Sequence, residues 1–132
     1  MNRFKANELV RQRFVYKAEQ GDPWRVLNTR GGGPIKGDCE DYSLTVLWLV
    51  CDRSLGRFLG MFLKGEARMW FCISPNRERH HVLQLGRSDD FYLDNLRKDW
   101  GHRSDYTHAG YKFKHAHSPL VAMVRLFCGM VF

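Results

Sequence analysis

Apolar spacing sets the first elements of this chain. Over 2–19, Phe4, Leu9, Phe14 and Ala18 recur near one stripe among Arg and Lys, which predicts an amphipathic helix. Gly21, Asp22 and Pro23 predict its end, because Pro23 restricts the residue before it and Gly21 permits a turn. Residues 24–27 form a short apolar element, and 28–37 read as a loop around Gly31-Gly32-Gly33-Pro34. The triple glycine lacks the Lys-Ser/Thr of a P-loop and the GxGxxG spacing, so it reads as a flexible entry loop. From 39 to 51 the pattern changes. Tyr42, Leu44, Val46, Leu47, Trp48, Leu49 and Val50 give a helix apolar on nearly all sides, as a central helix must be. Asp38 is its expected N-cap, with Asp41 at the third helical position.

Shorter periods follow. Strands are expected over 57–63 and 68–74, with Lys64-Gly65-Glu66 as the turn between them. A turn at 74–77 leads to 80–85, where His81, Leu83 and Leu85 share one face and His80 points the other way. Residues 91–95 and 109–114 are further strand candidates, with Tyr111 and Phe113 on one face. Ser118-Pro119 opens a short apolar helix through Leu126. Helices first and meandering strands afterwards predict an α+β fold, with the central helix packed on an antiparallel sheet.

Composition narrows this picture. The 132 residues suit a single domain spanning 1–132, large enough to bury a core without disulfides. Hydrophobic content of 44% and aromatic content of 14% exclude an intrinsically disordered chain. The net charge of +7 admits an anionic partner. The basic residues are dispersed, however, and no zinc-finger, RNP or helix-turn-helix signature accompanies them, so nucleic acid is not favoured. No stretch approaches the ~20 apolar residues of a membrane span. Residues 1–20 are charged and carry no apolar signal core, which makes a cytoplasmic location the expectation.

Candidate chemistry centres on Gly-Asp-Cys-Glu-Asp-Tyr at 37–42. Cys39 opens the central helix, where backbone N–H groups favour a thiolate. Cys51, Cys72 and Cys128 lie in apolar runs and read as core, whereas Cys39 stands among Asp38, Glu40 and Asp41. Those carboxylates oppose thiolate formation unless something compensates them. As three carboxylates in four residues they also offer oxygen ligands to Ca²⁺, against a simple capping role. Of six histidines, His81 is best placed as a base, held by its strand near the sheet end. His80, His102, His108, His115 and His117 compete for that role, and His115 with His117 forms a weak metal-binding pair. Asp94, ending an apolar strand, can hydrogen-bond the imidazole of His81. Trp24 and Asn28 are candidates by position for substrate or oxyanion contacts.

The Gly-Asp-Cys-Glu-Asp-Tyr block, His-Val-Leu at 81–83 and Leu-Asp-Asn-Leu at 93–96 resemble the bacterial transglutaminase-like cysteine proteinases. Those belong to the broader papain-like and transglutaminase-like group. The resemblance covers roughly 2–100, includes Trp24 ahead of the glycine-rich approach, and has Ser43 where that family commonly has Ala. It implies a papain-like/transglutaminase-like fold and a cysteine hydrolase with Cys39 as nucleophile, His81 as base and Asp94 as orienting acid. A thioester acyl-enzyme and a protein or peptide substrate would follow. It also implies calcium at Asp38, Glu40 and Asp41, with no other cofactor required. The short length fits a compact phage-encoded member. The alternative is a non-catalytic or transamidating member of the same fold, acting as a basic binding protein for a host protein or nucleic acid.

Overall fold

A computed structural model describes residues 1–17 and 24–131, the side chains of 128–131 excepted. The predicted turn at 21–23, the end of the first predicted helix and the Cys128 side chain lie outside the described residues.

The first helix is shorter than its pattern predicts. It is α1 (Arg3–Arg13), capped by Asn2, whose side chain accepts from the Phe4 and Lys5 N–H groups. The Phe-Val-Tyr run beyond Arg13 favours extended backbone. It forms β1 (Phe14–Tyr16), paired in parallel with β2 (Ile35–Gly37). The Arg13 guanidinium donates to the carbonyls of Thr29, Gly31 and Gly33. The triple-glycine loop therefore turns these carbonyls, not a nest of N–H groups, toward its charged neighbour.

Strand β2 leads directly into α2 (Cys39–Val50), in which nine of twelve residues are buried. One side of α2 packs Tyr42, Val46 and Leu49 against Ala6 and Val10 of α1. The other packs Leu44, Leu47 and the following Cys51 against Met69, Leu83 and Leu85 of the sheet. Gly37 is required by close approach: a Cβ there would lie 2.8 Å from Leu27 Cδ1 and 2.9 Å from the Asp41 carboxylate.

Residues 57–63 are not a strand. They belong to α3 (Leu55–Leu63), capped by Ser54, which buries Phe58 and Phe62 one turn apart. Beyond it, β3 (Ala67–Ile73) and β4 (Arg79–Leu85) pair antiparallel, and β5 (Tyr92–Leu93) flanks β4. A helix absent from the sequence reading, α4 (Arg103–His108), precedes β6 (Lys112–Ala116), and α5 (Pro119–Val131) ends the described chain. The sheet order is β5-β4-β3-β6. Trp24, Phe58, Phe62, Ala122 and Leu126 join the core on the α2 side of the sheet. Cys72, Val82, Tyr92, Tyr106 and Tyr111 form a second core. Among the described residues no helix is long and apolar enough to cross a membrane.

Candidate active site

The head of α2 is fixed by a capping box. Asp38 accepts from the Asp41 N–H at 3.3 Å, and Asp41 Oδ2 accepts from the Asp38 N–H at 3.3 Å. Asp41 Oδ1 also accepts from the Arg25 N–H at 3.0 Å, tying the segment after residue 23 to the helix start. Ser43 does more than fill volume: its hydroxyl donates to the Leu93 carbonyl at 3.3 Å, anchoring α2 to β5.

These ties set Cys39 against β4. The His81 backbone N–H donates to the sulfur, and the thiol donates to Glu40 Oε2 at 3.0 Å. Because β5 pairs only with Leu83 and Gln84, it leaves the first half of β4 open to the end of α2. Strand N–H groups lie in the sheet plane, while side chains stand above and below it. The sulfur thus sits beside the His80–His81 peptide, and the two imidazoles leave the strand on opposite faces.

His81 joins the thiol cluster. Its Nδ1 is 3.8 Å from Glu40 Oε2, and the ligand atoms of Cys39, Glu40 and His81 all lie within 4.8 Å of one another. Its Nε2 is 3.2 Å from His117 Nε2, the two rings stacked with centroids 5.3 Å apart. His117 is half-buried. Burial, then the neighbouring His117 and His80, lower the His81 pKa to about 3. Burial and the Glu40 carboxylate push the Cys39 thiol far up, against the help of the His81 N–H. The conflict expected from the flanking carboxylates is therefore present, with Glu40 as its chief source after burial.

The expected bond from Asp94 to His81 is not formed. Asp94 Oδ2 instead meets His80 Nε2 at 2.8 Å, and both side chains are buried. The reason is strand parity. Leu83 pairs with Leu93 and Gln84 with Tyr92, so continuing that register sets Asp94 across from Val82, on the face that carries His80. Asp94 also accepts from the Tyr111 hydroxyl at 2.8 Å, the Arg97 N–H at 3.0 Å and the Tyr106 hydroxyl at 3.4 Å. Sequence reasoning ranked His80 only as a competitor of His81 and gave Tyr106 and Tyr111 no part in the site. Parity joins His80 to Asp94 only once the register of β4 against β5 is known.

Of the two oxyanion candidates, Trp24 is fully buried, and its ring edge meets His81 and His117 with centroids 5.8 and 5.2 Å away. Its indole N–H has no acceptor. Asn28 accepts from the Arg30 N–H at 3.0 Å in a local turn and lines a hollow with Trp48, Arg53 and Phe58. That hollow shares no residue with the thiol cluster.

The Asp38 carboxylate lies within hydrogen-bond reach of both Glu40 and Asp41. Burial, then Asp38, push Asp41 up to about 8, and burial raises Glu40 as well. Carboxylates crowded in this way fit a hard divalent cation, which takes oxygen ligands and favours their ionised form.

The arrangement as a whole, a cysteine-bearing helix packed on an antiparallel sheet, is a papain-like/transglutaminase-like fold. Its solved neighbours include LapG of Legionella pneumophila. The EGTA-treated form matches with a TM-score of 0.62 at 20% identity, covering 88% of this chain and 61% of that one. The calcium-bound form matches with a TM-score of 0.59 at 19% identity, covering 86% of this chain and 62% of that one. A further LapG structure gives a TM-score of 0.59 at 19% identity over 86% of this chain and 60% of that one. The chain thus spans about three-fifths of the length of these neighbours. No family model and no curated protein matches the sequence.

Proposed function

We propose that this chain is a transglutaminase-like cysteine hydrolase that cleaves a peptide or isopeptide bond, with Cys39 as nucleophile. One observation carries the reading: the thiol at the head of α2 lies against the His80–His81 peptide, and His80 is held by a buried carboxylate. The likeness to LapG, a bacterial cysteine protease of this fold, supports the same class.

The triad proposed here is Cys39, His80 and Asp94, and the base expected from the sequence moves by one residue. A base must hold the thiol proton as an imidazolium. Asp94, ionised 2.8 Å from His80 Nε2, supplies the counter-charge and fixes the tautomer. His81, lowered to about 3, holds a proton poorly at neutral pH. Cys39 would attack the carbonyl while its proton passes to His80. The proton then goes to the leaving amine, and water hydrolyses the thioester. The Cys39 backbone N–H and the unpartnered indole N–H of Trp24 are the proposed oxyanion donors. A calcium ion at Asp38, Glu40 and Asp41 would offset their mutual repulsion at the helix head.

The test compares Cys39→Ala, His80→Ala and His81→Gln on a peptide library and with a thiol-directed acyl probe. Cys39→Ala should abolish both cleavage and labelling. His80→Ala should cost about 10²–10⁴ in kcat, and His81→Gln far less. Labelling that persists at Cys51, Cys72 or Cys128 would overturn the nucleophile. A larger loss in His81→Gln than in His80→Ala would return the base to His81.

A further inference from the structure

We infer that Cys39, Glu40 and His81 form a binding site for a thiophilic divalent cation of the zinc class, and that such an ion silences the thiol. The binding half stands on geometry alone; the silencing half rests on the hydrolase reading.

Three electron-rich atoms face one another at the head of α2. The Cys39 sulfur is 3.0 Å from Glu40 Oε2, and His81 Nδ1 is 3.8 Å from that same oxygen. All three ligand atoms fall within 4.8 Å of one another. A tetrahedral ion with bonds of ~2.0–2.3 Å to N, O and S holds its ligands about 3.3–3.8 Å apart. The sulfur–oxygen and nitrogen–oxygen separations of 3.0 and 3.8 Å lie close to that span, so side-chain rotations that draw the sulfur and the imidazole together close the site.

The donor set chooses the ion. One thiolate, one imidazole and one carboxylate suit zinc and its borderline neighbours, whereas calcium takes oxygen ligands. Charge also balances: a thiolate and a carboxylate neutralise a dication, and the imidazole adds none. On binding, the thiol proton is released to solvent and the metal–sulfur bond takes its place.

The surroundings complete a metal-ready histidine. His81 Nε2 lies 3.2 Å from His117 Nε2. With the proton on His81 Nε2 and His117 accepting it, the His81 Nδ1 lone pair is left facing Glu40 and the sulfur. A ligating histidine commonly uses its second ring nitrogen in this way, and such a partner sets the ligand's orientation. Trp24 packs edge-on against both rings and restricts their rotation. Three protein ligands leave the fourth position to water. The ion would occupy the sulfur lone pair that attacks a carbonyl, so metal binding and catalysis exclude each other.

Metal-stripped full-length protein titrated with Co²⁺ and then Zn²⁺ tests this. Co²⁺ should give a thiolate-to-metal charge-transfer band and four-coordinate d–d bands, with one ion bound per chain and displaced by Zn²⁺. Cys39→Ser should abolish the charge-transfer band. Glu40→Gln and His81→Gln should weaken binding at least tenfold, and His117→Ala by about tenfold through loss of the orienting partner. Zn²⁺ should also protect Cys39 from alkylation. Circular dichroism shows whether each variant folds, and a His102→Ala variant, altered at an exposed histidine outside the cluster, should bind like the parent. A band that titrates with the parent's affinity in His81→Gln and Glu40→Gln overturns the site when both variants are folded, as does alkylation of Cys39 unaffected by Zn²⁺. These readouts are independent of turnover: an active hydrolase without the band defeats this inference alone, and an inactive chain with the band defeats only the hydrolase reading.

Discussion

Asp94 shows how much one buried carboxylate can be asked to do. It is fully buried, and burial alone would raise its pKa. The hydrogen bond and charge of His80, the Arg97 N–H and the Tyr111 hydroxyl outweigh that and hold it below the ordinary carboxylate value. A carboxyl depressed in the folded state binds fewer protons there than in the unfolded chain. Its stabilisation is complete above the ordinary value of ~3.9 and is lost as pH falls through the folded value. Asp94→Asn should therefore lower the melting temperature at neutral pH, and the gap to the parent should narrow as the solution is acidified below about pH 4. A gap that widens in acid would mean that Asp94 is not held ionised. This residue also marks a limit of sequence reading. Asp94 and a neighbouring histidine were legible as partners, but choosing between His80 and His81 requires the strand register, which no local pattern supplies.

Among the elements, α2 was legible almost to the residue, because its cap, its apolar surround and its length agree. Helix α3 was not. Its two glycines, Gly56 and Gly60, disfavour a helix by propensity, and Phe58 and Phe62 favour a strand. Tertiary packing overrides that preference: Phe58 and Phe62, four apart, enter the core together, while Leu55 and Leu63 remain exposed. The signal that outweighs propensity is Ser54, whose hydroxyl accepts from the Arg57 N–H at 3.3 Å as an N-cap. Ser54→Ala should cost about 1 kcal/mol, read as a lower urea midpoint with unchanged slope. An unaltered midpoint would place the whole stability of α3 in its packing. Strand β6 adds a second case of context. Phe71 pairs with His115 and Cys72 with Phe113, so a bulge at Lys114 sets Phe113 and His115 on opposite faces. Simple alternation would have put them on the same one.

At the scale of the molecule, the candidate site lies where separate parts of the chain converge: the head of α2, the open edge of β4 and the residue after β5. The segment at Trp24 and Arg25 closes over it, bonded to Asp41 at the helix head. At this junction Asp38 opposes the ionisation of both Glu40 and Asp41, on a helix that is packed on α1 and on the sheet at once. Relief of that repulsion should appear in global stability rather than in local motion alone. A cation that binds the folded chain and not the unfolded one stabilises it by RT ln(1 + [L]/Kd), about 2.7 kcal/mol at a hundredfold excess over Kd. If Asp38, Glu40 and Asp41 hold calcium, the melting temperature should rise by several degrees between EGTA and excess Ca²⁺. The rise should shrink in Asp38→Asn and in Glu40→Gln. Because Glu40 also belongs to the thiol cluster, its loss should weaken calcium and zinc together, whereas Asp38→Asn should weaken calcium alone. Equal melting temperatures in EGTA and Ca²⁺ would leave the acidic residues as caps: Asp38 and Asp41 would close the helix end, and Glu40 would serve the thiol and His81 only.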